Sequence, residues 1–376
     1  MTAKKITGDK VRYGVVAGGN ISQAAFMPGV DQTGNSVMTA LVTSDPTKAD
    51  ELASKYNLKS YSYEEFDKLL QEDVVDAFYI ATPNFMHRQF AEPALKAGYH
   101  VLLEKPMEVS VEDCQAIINA SEQSGAKLMI AYRLHFEPAT LELQRKCREG
   151  DFGDLRFFSS IFSQPLDTDN HRAKYDYWAG PVPDMGTYPI NAVRNVFNSE
   201  PIEVSATGIR TPDRGFEGDF DDIVQVTLKF PGERIAQFVV SYTGESSERY
   251  QVVGTKGMAD MKPCYFFGPG VKLKYTTSID KKEETFEHEN TDQFSGETHY
   301  FSECIIQNIQ PECDGEEGLL DVRIMEAVKK ALETGEKQKL APLQRLRTTQ
   351  ESQARKFPQV TPPKHMIGKD SDKPAE

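Results

Sequence analysis

Glu104-Lys105-Pro106 follows a strand-like run, His100–Leu103, in a chain whose first strand-like run ends in a glycine-rich turn, Ala17–Ser22. A lysine at the end of a late strand of a nucleotide-binding sheet enters the crevice where a cofactor lies. Its ammonium can steady negative charge growing on an oxygen, which oxidation of a hydroxyl requires. The two landmarks together point to a nicotinamide-dependent enzyme with Lys105 at its chemical centre. Metal chemistry has no comparable support. His87, His100, His135, His171, His288, His299 and His365 form no H-E-x-x-H and no close Cys/His grouping, so no metal site is expected. Cys114, Cys147, Cys264, Cys304 and Cys313 are odd in number and lack C-x-x-C spacing, which reads as reduced thiols of an intracellular protein.

The turn itself departs from the dinucleotide fingerprint G-x-G-x-x-G/A. Ala17-Gly18-Gly19-Asn20-Ile21-Ser22 keeps only the middle glycine in place. Ala17 implies a first turn position without a strictly positive φ, and Ser22 is small enough for the helix to approach the sheet. Gly18, Gly19, Asn20 and Ile21 are the candidate pyrophosphate contacts, at a helix N-terminus. Cofactor choice belongs at the end of the second strand, Thr43-Ser44-Asp45-Pro46-Thr47-Lys48. Thr43, Ser44 and Lys48 suit the 2′-phosphate of NADP, whereas Asp45 suits NAD if it faces the ribose. The alternative for Asp45 and Thr47 is capping of the next helix. NADP is the expected cofactor, with NAD possible.

The elements that must hold these residues alternate. Strands are expected at Val11–Ala17, Val37–Thr43, Val74–Ala81, His100–Leu103 and Lys127–Ala131. Between them lie a short helix after Ile21 and an apolar stripe of Ala49, Leu52, Ala53 and Tyr56. A helix opened by a Ser62/Glu65 capping box follows, then one stopping at Gly98 and one running from Ser110 to Gly125. Such alternation is the signature of a parallel sheet covered on both faces. It stops near Tyr132. After a helix at about 138–148, Ile223–Phe230 and Ile235–Tyr242 alternate with period two across a Pro231-Gly232 turn, so an antiparallel, half-buried sheet is expected. Met325–Leu332 is an amphipathic helix that would pack back on it. The division expected is a flexible 1–10, a Rossmann domain over 11–132, a substrate-binding and oligomerisation α/β domain over 133–350, and a polar tail over 351–376. Disorder or loose attachment is expected from Gln359 onward.

With 376 residues, two domains are the better prior. A net charge of −14 with no basic stripe excludes a general nucleic-acid surface. No apolar run approaches the length of a membrane span, and residues 1–10 do not read as a secretory signal. A cytoplasmic protein is expected.

The order and spacing of several short motifs give a family resemblance. They are Gly19-Asn20-Ile21, Ala81-Thr82-Pro83-Asn84 with His87, Glu104-Lys105-Pro106, Ala131-Tyr132-Arg133, Asp184-Met185-Gly186-Thr187-Tyr188, and Asp314-Gly315-Glu316-Glu317-Gly318-Leu319. The chain resembles the glucose–fructose oxidoreductase/inositol dehydrogenase family over nearly its whole body. The resemblance implies an N-terminal Rossmann domain and a C-terminal α/β domain whose large open, mostly antiparallel sheet forms a homodimer or homotetramer. It implies a sugar or polyol held between them, and Lys105, Asp184 and Tyr188 as catalytic residues. Thr82, Pro83, Asn84, His87 and Glu104 join the implied cofactor contacts; Arg133, His135 and Trp178 are candidate sugar contacts.

In such a site Tyr188 takes the proton of the hydroxyl that loses hydride. A phenol of pKa near 10 does this at neutral pH only with help, which Lys105 is placed to give. Asp184, four residues earlier, faces Tyr188 if the segment is helical; as a direct base it would need a raised pKa. His171, Arg172 and Lys174 lie in a polar loop that is a candidate for substrate specificity. Three departures stand out. Ala17 replaces a glycine, Gly180-Pro181-Val182-Pro183 replaces a glycine-rich run before Asp184, and the fused export signal and cofactor-holding arm of some relatives are missing, so an ordinary exchangeable cofactor is expected. Reduction of anhydro- or keto-sugars, dihydrodiol oxidation, and a catalytically silent sugar- or nucleotide-sensing role remain the alternatives.

Overall fold

A computed structural model describes residues 2–6 and 8–368. Six short strands make the first sheet: β1 (Val11–Val16), β2 (Ser36–Val42), β3 (Lys59–Tyr61), β4 (Ala77–Ile80), β5 (His100–Leu103) and β6 (Leu128–Ile130). Their order is β3-β2-β1-β4-β5-β6 and every pairing is parallel. All four residues of β4 and of β5 are buried, as two covered faces demand. Order reverses between β1 and β4, which opens a crevice at their C-terminal ends. The connecting helices are α1 (Met27–Val30), which continues a π-helical turn over Ser22–Phe26, then α2 (Pro46–Tyr56), α3 (Phe66–Leu69), α4 (His87–Lys96) and α5 (Val111–Ser124). Local signals fix their ends. Asp45 and Ser110 accept N-terminal amides of α2 and α5, and Gly125 closes α5 in the left-handed region. The Ser62/Glu65 capping box forms by half: Glu65 accepts the Ser62 amide at 3.1 Å, ahead of a helix of one turn.

After α6 (Pro138–Glu149), the chain builds a nine-stranded sheet. Its strands are β7 (Leu155–Ser163), β8 (Glu203–Ile209), β9 (Ile223–Phe230), β10 (Arg234–Ser241), β11 (Ser247–Gly254), β12 (Gly257–Met261), β13 (Lys274–Ile279), β14 (Lys282–Glu287) and β15 (Gln338–Lys339). The β9–β10 hairpin buries Val224, Val226, Leu228 and Phe230 with Ala236, Phe238, Val240 and Tyr242, the residues that period two selects. The sheet is mixed rather than purely antiparallel, because β10 also pairs with β7 in parallel. Three helices cover it or return to the first sheet: α7 (Thr187–Phe197), α8 (Gln293–Gln307) and α9 (Gly315–Thr334). Helix α8 lays Phe301 and Ile305 into the first core, and its Ser302 bonds Tyr13 at 2.8 Å. Helix α9 gives Val322 to the first core and Ile324, Met325 and Val328 to the second, so it joins the two.

Two stretches expected to be loose are tied down. The Lys4 amide donates to Gly98 O at 2.8 Å, and its ammonium sits 4.1 Å from the Tyr99 ring centroid. At the other end, Gln359 Nε2 and the Val360 amide both donate to Asp292 Oδ2, at 2.9 and 3.1 Å, and Met366 is buried. Few apolar anchors suffice there because buried side chains on the folded body supply the polar partners. The residues from Lys369 onward lie outside those described. Among the described residues no helix is long and apolar enough to cross a membrane.

Candidate active site

The glycine turn keeps the fingerprint's geometry without its first glycine. Ala17 has φ 73°, so the expectation that this position avoids positive φ is corrected. The left-handed conformation is held from both sides: the Ala17 amide donates to Val42 O at 2.9 Å, and Ser22 Oγ donates to Ala17 O at 2.7 Å. A Cβ on Gly18 would lie 2.8 Å from Leu52 Cδ1, whereas one on Gly19 would meet nothing within 4 Å. Gly18 therefore serves the packing of α2 on the sheet, and Gly19 leaves an open cradle beside Asn20 and Ile21. The first amides of the helix that starts there have no intrahelical acceptor. Thr82 Oγ1, at the end of β4 across the crevice, is buried without a hydrogen-bond partner. A cradle of free amides and an orphaned hydroxyl at the ends of neighbouring strands fit a dinucleotide.

At the end of β2, Asp45 Oδ1 accepts the Thr47 and Lys48 amides at 2.9 and 3.3 Å. The capping role expected as the alternative is one it fills, through Oδ1. Thr43 Oγ1 accepts the Asp45 amide, Ser44 is exposed, and Lys48 Nζ stands 3.9 Å from Asp45 Oδ2, beyond hydrogen-bond reach.

Lys105 is placed by its neighbour. Buried Glu104 takes the Tyr79 hydroxyl at 2.7 Å and the Lys105 amide at 3.2 Å, which fixes the backbone from which the lysine departs. Burial pushes the Glu104 carboxyl up, against the pull of Lys105 and Tyr79. The lysine crosses to the second domain: Nζ donates to Asp184 O at 2.9 Å, lies 3.7 Å from Asp184 Oδ1, and sits 4.7 Å from the Tyr188 ring centroid. Asp184 belongs to a π-helical turn, Val182–Gly186, that runs into α7. That wider turn, rather than an α-helical i,i+4 step, directs its carboxylate to Tyr242 (hydroxyl to Oδ2, 3.0 Å), Arg172 (3.4 Å) and Lys105. Burial pushes the Asp184 carboxyl up, but Arg172, Lys105 and Tyr242 outweigh it and hold it below the usual range. Asp184 is thus an ionised acceptor and a weak base. Among the described residues nothing hydrogen-bonds the Tyr188 hydroxyl, which leaves it available to a ligand.

The other candidates divide. The Arg133 guanidinium stacks 4.9 Å from the Tyr188 ring centroid and donates to Gln293 Oε1 and Tyr265 O. It buttresses Tyr188 from behind. His135 is buried with both ring nitrogens engaged, by Glu312 at 2.8 Å and Asn191 at 2.7 Å, so it has no hydrogen-bonding capacity left for a sugar. Its ring also lines a cavity of about 30 Å³ behind Lys105 and Tyr188. That volume holds roughly two waters. His87 is buried between Met107 O (3.1 Å) and Thr82 O (3.0 Å), and burial brings it down to about 4. The neutral ring donates to one of these carbonyls and packs against the other; its place is structural. Asn84 Nδ2 donates to Trp178 O at 2.8 Å, a tie between the domains, and Pro83 precedes it in the same crevice wall. The Trp178 ring packs edge-on to Tyr177. His135, Glu312 and Cys313 lie close enough together to ligate a metal. The imidazole is already committed on both sides.

Sequence reasoning missed three features. Tyr242, just past the end of β10, read as a core position of the alternating run; its hydroxyl is the part that reaches Asp184. Gln23, buried next to the glycine turn, had no local signal beyond being polar in an apolar helix. The third is a buried charge network. Arg194 on α7 pairs with Glu200 (2.7 Å), Glu317 (3.0 Å) and Asp321; Arg345 pairs with Glu200 (2.9 Å) and Glu317 (3.0 Å). Burial holds Asp321 up at about 6, whereas Arg194 and Arg345 overcome burial at Glu317 and pull it well down. Tyr132 and Asn191 bond into the same cluster. The network clamps α7, which carries Tyr188, to α9.

The fold and the crevice define a dinucleotide-dependent oxidoreductase, and the comparisons agree. Residues 11–132 match the oxidoreductase family with an NAD-binding Rossmann fold (GFO_IDH_MocA), and residues 140–260 match the GFO/IDH/MocA C-terminal domain. D-xylose 1-dehydrogenase [NADP(+)] of Haloarcula marismortui is 30% identical over 87% of this chain and 92% of its own. Trans-1,2-dihydrobenzene-1,2-diol dehydrogenase of Macaca fascicularis is 30% identical over 68% of this chain and 75% of its own. The crystal structure of the aldose-aldose oxidoreductase from Caulobacter crescentus complexed with glycerol superposes with a TM-score of 0.81. It is 31% identical, covering 88% of this chain and all of that one. The chain belongs to the GFO/IDH/MocA family and is an NAD(P)-dependent oxidoreductase of CH–OH groups.

Proposed function

We propose that the protein is an NADP(H)-dependent oxidoreductase that moves hydride to or from a ring carbon of an aldose or related cyclic polyol, with Lys105, Asp184 and Tyr188 at the reacting centre. One observation carries the reading. Lys105, delivered by the nucleotide-binding sheet, is bonded to Asp184 of the second domain while lying over the Tyr188 ring. When bound, the nicotinamide supplies the hydride acceptor or donor. Tyr188 exchanges the proton of the reacting hydroxyl, and Lys105 stabilises the negative charge on that oxygen. Asp184 orients Lys105 and accepts hydrogen bonds from neighbouring sugar hydroxyls; its lowered pKa argues against a role as the base. NADP is favoured over NAD because Asp45 is spent on the helix cap and Lys48 has donors to spare. The names of the NADP(+)-linked xylose dehydrogenase and of the aldose-aldose oxidoreductase favour an aldose.

The outer face of the second sheet exposes Phe157 and Ile161 on β7, Ile235 on β10 and Ile209 on β8. Phe157 and Ile235 are register partners. An apolar patch on central strands supports a homodimer through this face; a monomeric mass in solution would remove that part of the reading. Five unpaired, buried cysteines support a cytoplasmic location.

The test follows the absorbance of reduced nicotinamide with NADP or NAD against a panel of aldoses, inositols and dihydrodiols. Lys105→Ala should lose about a hundredfold or more in kcat while NADP binding persists. Unchanged turnover in that variant refutes the assignment, and better use of NAD refutes the cofactor choice. Cofactor binding without turnover on any substrate would favour a sensing role. The structure lends that role less support than the motif did, because Ala17 preserves the turn.

A further inference from the structure

The C-terminal segment reaches the nucleotide site. From Asp292 it runs to the glycine turn, where the Ile367 amide donates to Gln23 Oε1 at 2.7 Å and Ile367 O accepts Gln23 Nε2 at 2.9 Å. The same Nε2 donates to Gly18 O at 2.9 Å. Gln23 is 3% exposed, so its amide is a buried joint between the tail and the turn. One residue further, Gly368 has φ 101°, and a Cβ on it would overlap Lys48 and crowd Asp45 Oδ2. The Lys48 stem also passes Gly18: a Cβ there would lie 3.8 Å from Lys48 Cδ. Three chain segments therefore meet around one lysine: the glycine turn, the β2–α2 loop and the C-terminal segment.

We propose that Met366–Gly368 form a wall of the cofactor site, at the end that receives the 2′-phosphate of the adenosine. The inference rests on the reading of Thr43, Ser44 and Lys48 as an NADP pocket. The Lys48 ammonium stands 3.9 Å from Asp45 Oδ2 and makes no hydrogen bond to it, so its donors are open to a dianionic phosphate, and exposed Ser44 lies in the same loop. Main chain at Gly368 would shield that charge pair from water and strengthen it. Removing the wall should then weaken NADP more than NAD, whose ribose brings no phosphate to Lys48. General loosening of the fold would affect both alike. A tail so placed also predicts slow release of the cofactor, in contrast to the ordinary exchangeable cofactor expected from the sequence.

Two full-length-derived proteins test this, one ending at Pro358 and one carrying Ile367→Asp. NADPH release is followed by stopped-flow fluorescence against a chase of NADP, and Kd is measured for NADP and NAD. Expected are at least a tenfold rise in Kd for NADP, carried by faster release, and a change of less than about threefold for NAD, that is, more than 1.4 kcal/mol against well under it. Equal effects on the two dinucleotides, no effect, or tighter NADP binding after truncation overturns the proposal; the last would make the segment an obstruction. If the truncated protein fails to fold, Ile367→Asp decides alone. If the unaltered protein binds neither dinucleotide, the cofactor reading falls and this inference with it. If it binds NADP and both variants match it, only the wall is refuted.

Discussion

Acidification should break the tie between His100, on the strand that delivers Lys105, and the Lys127 amide. His100 opens β5 with its Nδ1 accepting the Lys127 amide at 2.9 Å and its Nε2 facing Lys4 O at 3.2 Å. That pattern requires a neutral ring, since a proton on Nδ1 would displace the Lys127 donor. Burial accordingly drives the imidazole down from 6.5 to about 4, with Lys127 adding to the drop and Lys4 O opposing it. The sign follows from linkage. The folded pKa is depressed, so the contribution is complete above 6.5 and is lost as pH falls towards 4. Fully expressed, it is worth about 3 kcal/mol; by pH 5.5, roughly 1.4 kcal/mol of that is gone. Other groups titrate over the same range, so the measurement is a difference of differences. Urea unfolding of the wild type and of His100→Gln is compared at pH 7.5 and 5.5. The glutamine can accept from Lys127 and donate to Lys4 but cannot titrate. The wild type should lose about 1.4 kcal/mol more than the variant on acidification. Identical pH dependence, or a His100 ring resonance titrating near 6.5, would refute the reasoning.

Ala17→Gly should stabilise the protein by about 0.5–1 kcal/mol, because left-handed strain of about 1–2 kcal/mol is relieved and partly offset by the greater freedom of glycine in the unfolded chain; a lowered urea midpoint would contradict this. Arg172→Ala removes the largest of the charges that hold the Asp184 carboxyl down. The acid limb of kcat/KM, present above that pKa and lost as pH falls through it, should move to higher pH, and an unmoved limb would separate Asp184 from catalysis.

Features written in adjacent residues were legible in the sequence. His100–Leu103 appears as a strand of those bounds, Ser110 and Gly125 bracket α5, and the alternation of β9 and β10 selects the buried side chains, because caps and period two are local properties. The parallel pairing of β10 with β7 was not legible, since register across a crossover leaves no trace in either strand. Ala17 was misread because composition suggests a side chain's preference, whereas Ser22 and the end of β2 impose the conformation. Lys105, Asp184 and Tyr188 were assembled by motif order, but the route of the Asp184 carboxylate to Tyr242 and Arg172 depends on a π-helical turn that spacing does not reveal. Gln23 and Ile367 are 344 residues apart. Their joint exists only once both sheets have formed.

The charge network beneath Tyr188 has a consequence for how this sequence can change. Glu200, Glu317 and Asp321 share two guanidiniums in the buried interior, and removing one member of such a cluster strands another at about 3–5 kcal/mol. That is a large fraction of the 5–15 kcal/mol by which a domain is stable. The members can therefore drift only in compensated pairs, on helices far apart in the chain. Asp314–Leu319, one of the motifs that carry the family resemblance, supplies Glu317 to this lock. Relatives recognised by it would share the joint between α7 and α9 even after their substrates had diverged.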